Sequence, residues 1–181
     1  GKIERRIHDV IIMGGSRIAR QLCQMTEGKF NFKIIDPDRE KCIKLSEQCP
    51  DALVINADAR DTDVLSDAGI SDADAFIAIS DSSESNILTC LTAKEFGVKK
   101  TIAEVENLQF IAEAEGLNIG TVVNKKLLAS SRIFQMLLDR DTSTSKCLAL
   151  ADAEVAEIVA KEGSKITRAP IKDLRLSNYM T

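Results

Sequence analysis

Tryptophan is absent from the 181 residues, and tyrosine and histidine occur once each. Six phenylalanines complete the aromatic set, too little for the stacking platforms that bind single-stranded nucleic acid. A basic excess is missing as well: 24 lysines and arginines against 28 acidic residues leave a net charge of −4. A nucleic-acid module would concentrate positive charge on one face. No apolar run approaches the roughly 20 residues of a membrane helix, so direct insertion into a bilayer is not expected. The opening Gly1-Lys2-Ile3-Glu4-Arg5-Arg6 is charged and has no apolar core of a secretory signal. Cys23, Cys42, Cys49, Cys90 and Cys147 include no C-x-x-C pair, which argues against a zinc knuckle or a redox motif. They read as small, partly buried thiols in a reducing compartment. His8, the lone histidine, precedes the first apolar run without an evident catalytic partner. What remains is a folded protein of cytosolic type, long enough for one domain and a small annex.

What is present is a repeated alternation. Val10-Ile11-Ile12-Met13 is wholly apolar and ends in Gly14-Gly15, as expected of a central parallel strand buried on both faces. Ile18, Leu22 and Met25 then recur with helical spacing up to Gly28. Phe32 to Ile35 is a second strand, and Pro37 is suited to the first position of the next helix. Ala52–Ile55 is a third strand, followed by a short helix from Asp61 to Ala68. Ala75–Ile79 is a fourth, followed by a helix from Ser83 or Glu84 to Phe96. Thr101–Val105 and Gly120–Val123 complete six strands, with a helix from about Leu108 to Glu115 between them. Strand and helix alternating through short links predict an α/β fold, a Rossmann-like doubly wound parallel six-stranded sheet over residues 1–124.

Beyond Asn124 the pattern changes. Residues 125–140 read as one long helix with more apolar positions than a single face needs. Leu128 and Met136 fall off its stripe and are expected to meet a partner subunit. Residues 125–145 are thus a crossover or dimerisation helix with a polar hinge at 141–145. Residues 146–181 read as the beginning of a truncated small α+β module, too short for a core of its own.

The sharpest constellation is Gly14-Gly15-Ser16-Arg17-Ile18-Ala19 at the first strand-to-helix turn. It approximates the dinucleotide fingerprint G-x-G-x-x-G/A, with Gly14 for the tight turn, Ala19 for close helix packing and Ser16 at the second glycine position. Asp36 ends the second strand, 22 residues after Gly14, where an acidic side chain accepts ribose hydroxyls. The competing role for Asp36 is to cap the following helix. Asp58-Ala59 and Ser80-Asp81, with Glu84 and Asn86, stand at the next strand ends. There a ligand role competes with ordinary capping and turn-shaping. Carboxylates at Asp36, Asp58, Asp81, Glu84 and Glu104 dominate this edge, with Arg17 the one evident cation. No nucleophile–base pair offers catalysis, and no metal site is expected.

These segments, together with Ala57-Asp58-Ala59-Arg60-Asp61, Ala68-Gly69-Ile70, Ala78-Ile79-Ser80-Asp81 and Gly97-Val98-Lys99-Lys100, resemble the regulator of potassium conductance (RCK) domain, also called KTN or TrkA-N. Glu162–Ile166 and Ala169–Leu174 are similar to the opening of the TrkA-C module. The resemblance implies a cytoplasmic, non-enzymatic regulatory subunit of a bacterial Trk-type potassium uptake system. It implies NAD(H) or ATP/ADP as ligand, and a TrkH-type membrane potassium transporter or channel subunit as partner. It also implies a homodimer or larger ring at the inner face of the membrane, and gating by rearrangement between subunits. By position, Gly14, Gly15, Ser16, Arg17 and Ile18 would line a pyrophosphate and Asp36 would hold ribose. Asp58 and Ala59 would flank adenine, and Ser80 and Asp81 would close the crevice. Ser16 and Glu104 depart from the family pattern. The alternatives are a copy that binds nothing and serves as an oligomerisation scaffold, or a fragment of an NAD-dependent oxidoreductase.

Overall fold

Val10 to Met13 have no polar face, and a computed structural model of the chain puts them in the middle of a sheet covered on both sides. The structure describes residues 6–26, 28–106 and 120–138. The described residues form six strands: β1 (Asp9–Met13), β2 (Asn31–Asp36), β3 (Leu53–Asn56), β4 (Ala75–Ala78), β5 (Lys100–Val105) and β6 (Thr121–Asn124). Every pairing is parallel, in the order β3-β2-β1-β4-β5-β6. Ile12 lies opposite Ile34 of β2 and Ile77 of β4. Strand order reverses between β1 and β4, so a crevice opens at their carboxyl ends.

Alternation along β1 sorts the core into two layers. Ile11 and Met13 pack with Leu65 of α3 (Thr62–Asp67) and with Ile87, Cys90 and Ala93 of α4 (Ser83–Glu95). Val10 and Ile12 pack with Leu22 of α1 (Arg17–Met25) and Leu45 of α2 (Arg39–Gln48). A parallel sheet with helices on both faces is the Rossmann-like architecture that the alternation predicts.

Helix starts follow side-chain chemistry. Ser16, Asp38, Asp61 and Ser82 each occupy an N-cap and accept a hydrogen bond from a first-turn N–H. Pro37 is therefore not the first helical residue: Asp38, whose Oδ1 accepts from the N–H groups of Glu40 and Lys41, takes over that boundary.

The largest correction concerns residues 125–140. Asn124 accepts from the Lys126 N–H and caps a single 3-10 turn at Lys125–Leu127. The chain then extends at Leu128, and α5 starts only at Ser130 (Ser130–Leu138). Leu128, Ile133 and Leu137 are buried, and Met136 packs against the same core layer. Leu128 is thus covered within the chain itself, and Met136 is partly buried against the same core layer. Lys100 donates from Nζ to the Met136 carbonyl near the end of α5. Ser130 donates to Gln21 Oε1 on α1 at 3.5 Å. The helix expected near 108–115, the hinge at 141–145 and the module at 146–181 lie outside the described residues.

Candidate functional site

The turn after β1 is built by two glycines with different duties. Gly14 has φ +114°, and a Cβ there would lie 2.9 Å from the Ile79 carbonyl carbon and oxygen and 3.0 Å from Ser80 N. The turn thus presses directly on the backbone leaving β4, which only glycine permits. At Gly15 a Cβ would strike Leu45 Cδ1 at 2.6 Å. The Gly15 N–H donates to Asp36 Oδ2 at 2.6 Å, and the Asp38 N–H donates to Asp36 Oδ1 at 2.7 Å. Asp36 is buried and does not cap α2. Its carboxylate ties the glycine turn to the end of β2 and keeps lone pairs for two further donors.

Above this turn stands the N-terminus of α1. Ser16 Oγ accepts from the Ala19 N–H at 3.4 Å. Among the described residues the N–H groups of Ser16, Arg17 and Ile18 have no acceptor, as is usual for a first helical turn. The first turns of α2, α3 and α4 carry Glu40, Asp63 and Glu84, whereas that of α1 carries no acid and begins with Arg17. Among the described residues Arg17 Nη1 is buried without a hydrogen-bond partner. A cation, three free amides and the positive end of a helix dipole form a place for an anion.

The next strand ends are more self-contained. Arg60, not among the expected site residues, grips Asp58 through Nε (3.0 and 3.1 Å) and Nη2 (2.6 Å). These bonds hold the Asp58 carboxyl below its usual range. Ala59 is buried in the core layer with Leu65, so only its backbone is available at the edge. Ser80 donates from its hydroxyl to Asn86 Oδ1 (2.6 Å), which also accepts the Ser80 N–H (3.0 Å). Asn86 Nδ2 donates to the carbonyls of Ser80 and Glu104. Asn86 is thereby the pin that fixes the β4–α4 turn against β5, while Asp81 is exposed beside it.

A second cation also joins the edge. Lys125, just beyond β6, pairs with Glu106 at 3.0 Å, so Arg17 is not alone. Position was the available signal, since Lys125 follows the carboxyl end of a strand. Glu104 on β5 is buried at 7% exposure, and no hydrogen bond reaches its carboxylate among the described residues. Burial, then the charges of Asp81 and Glu106, push its carboxyl up to about 7 against the pull of Lys125.

Elsewhere chemistry is sparse. His8 lies at the amino-terminal edge of β1, 3.2 Å from Asn31 Nδ2 and far along the strand from the crevice. Cys42, Cys49 and Cys90 are buried and Cys23 partly so. Burial raises all four thiols above their ordinary range, which suits packing rather than nucleophilic attack.

Comparison with known proteins adds a family match, one relative in sequence and two similar folds. The sequence matches the TrkA-N domain over residues 10–125. It is 29% identical over 178 residues to the Trk system potassium uptake protein TrkA of Haemophilus influenzae, covering 97% of this chain and 39% of that protein. The chain thus spans about two fifths of the length of the curated relatives it matches. The fold is similar to the TrkA-N domain of the inner membrane protein ybaL from Escherichia coli, with TM-score 0.58, 14% identity and coverage of 75% of this chain and 97% of that one. It is also similar to GsuK. The ADP-bound structure gives TM-score 0.57 at 23% identity, covering 68% of this chain and 32% of that one. The GsuK channel bound to NAD gives TM-score 0.50 at 24% identity, covering 62% and 21%.

Proposed function

The chain belongs to the TrkA-N domain family, and from that premise we propose that it is a nucleotide-sensing regulatory unit of a potassium uptake system. In this reading an adenine nucleotide, NAD(H) or ATP/ADP, lies across the β1–β4 crevice. Its pyrophosphate takes the N–H groups of Ser16, Arg17 and Ile18, and its adenosine ribose donates to Asp36. The observation that carries the reading is the buried, unpartnered Arg17 Nη1. An orphaned guanidinium donor is costly unless an anion completes it. The bound structures of the GsuK fold support the same class of ligand.

The unit is cytoplasmic, acts by binding rather than catalysis, and is read by a membrane potassium transporter. Ligand binding shifts the balance between two shapes, and a coupling of about 1–3 kcal/mol suffices for regulation. Within this chain the relay runs from the crevice edge through Lys125 to α5, whose N-terminal end touches α1 at Gln21. Neighbouring copies sense the change through the surface left outside α5, where Leu138 is 47% exposed. The engagement of Asp36 with Gly15 favours one second reading, a scaffold that needs no ligand.

Arg17→Met separates the two. Loss of one charged hydrogen-bond donor costs about 2 kcal/mol of binding, or about 30-fold in Kd for NAD or ADP. Thermal stability is expected to hold or rise, because the replaced donor is buried and makes no bond in the free protein. Unchanged nucleotide affinity in titration calorimetry would sink the pyrophosphate assignment, and no binding by the parent chain would favour the scaffold.

A further inference from the structure

The two halves of the crevice mouth offer opposite chemistry. On the β1 side, the amides of Ser16, Arg17 and Ile18 offer donors for a pyrophosphate, and the first turn of α1 carries a cation rather than an acid. On the β4–β6 side the charged side chains are mostly acceptors. Asp81, Glu104 and Glu106 face a single ammonium, Lys125, which Glu106 already holds at 3.0 Å. Two side-chain donors of that side are spent internally: Asn86 Nδ2 on two carbonyls and the Ser80 hydroxyl on Asn86. Glu104, nine-tenths buried, has no hydrogen bond on its carboxylate among the described residues.

We propose that Glu104 is a specificity-determining residue, which makes this crevice take an adenine dinucleotide with a cationic nicotinamide ring in preference to a nucleoside triphosphate. The inference rests on the nucleotide-binding reading above and narrows it. In a doubly wound sheet the two mononucleotide halves bind to either side of the switch point. With adenosine at Asp36, the second half extends toward β4 and β5. A nicotinamide riboside brings amide and hydroxyl donors and a positive ring to those acceptors. A third phosphate brings only acceptors and negative charge, in a place where burial weakens solvent screening. ADP ends at the pyrophosphate and escapes the penalty.

Titration calorimetry in chelator, with NAD+, ADP and ATP as probes, tests this on the parent chain and on Glu104→Gln. The parent is expected to bind NAD+ at least about 10-fold more tightly than ATP, and Glu104→Gln to narrow that ratio about 10-fold. Asp81→Asn, at an exposed position, is expected to narrow it in the same direction and carries the test should Glu104→Gln fail to fold. Equal affinity of the parent for ATP and NAD+, or a ratio unmoved by both variants, overturns the charge filter alone. Absence of binding by any of the three nucleotides overturns the nucleotide reading and the filter together.

Discussion

Gly14→Ala is expected to cost the fold about 4 kcal/mol, near the upper end for a single substitution. Two effects add. The residue sits at φ +114°, and its new methyl would fall 2.9 Å from two backbone atoms of Ile79, which cannot swing away like a side chain. Gly97→Ala supplies the control: φ is +97° there, with nothing within 4 Å of the added carbon. Only the conformational penalty of about 1 kcal/mol applies to it. Urea denaturation of the two variants separates strain from collision. Equal losses would mean that the glycine turn does not press on the β4 exit, and the crevice floor would have to be redrawn.

Glu104→Gln is expected to stabilise the protein by about 3 kcal/mol at pH 8 and by almost nothing at pH 4.5. The Glu104 carboxyl is moved from an ordinary 4.5 to about 7 in the folded chain, by burial first and then by Asp81 and Glu106. An unfolded chain therefore releases this proton before the folded one does. Stability of the parent falls as pH rises from about 4.5 to about 7, and is level above that range. Glutamine carries no such charge, so the gap between variant and parent opens across the same window. Asp81→Asn removes one of the charges that raises Glu104, and so should move the window to lower pH. A gap independent of pH would show that the Glu104 carboxylate is solvated in the folded state.

Much of this architecture is legible in the amino-acid sequence. Val10–Met13 have no polar face to expose, and Asp36 stands at the distance from Gly14 that one helix and one strand require. Capping was read less well, because Asp36, Asp38 and Pro37 are all acceptable near a helix start. The choice fell to Asp38 once Gly15 and Asp38 had claimed both Asp36 oxygens. Residues 125–140 misled for a definite reason. Apolar spacing does not register a two-residue interruption, and the break at Leu128-Ala129 turns Leu128 from an outlying helical position into a core residue. Glu104 is visible as an acid on a strand, but its burial at the sheet edge is a tertiary event that strand periodicity does not encode. Arg60 was hidden by simple proximity: two residues from Asp58, it looked like part of the same turn rather than the counter-ion that occupies it.

Amide chemical shifts measured as NAD+ is added to isotopically labelled protein report most directly on whether the N-terminus of α1 holds the ligand. The account predicts saturable shifts at Gly15, Ser16, Arg17 and Ile18, with smaller ones at Asp38 and Ser80 and none at His8 or Asn31 on the far edge of the sheet. Shifts confined to that far edge, or a spectrum unchanged at millimolar NAD+, would contradict it.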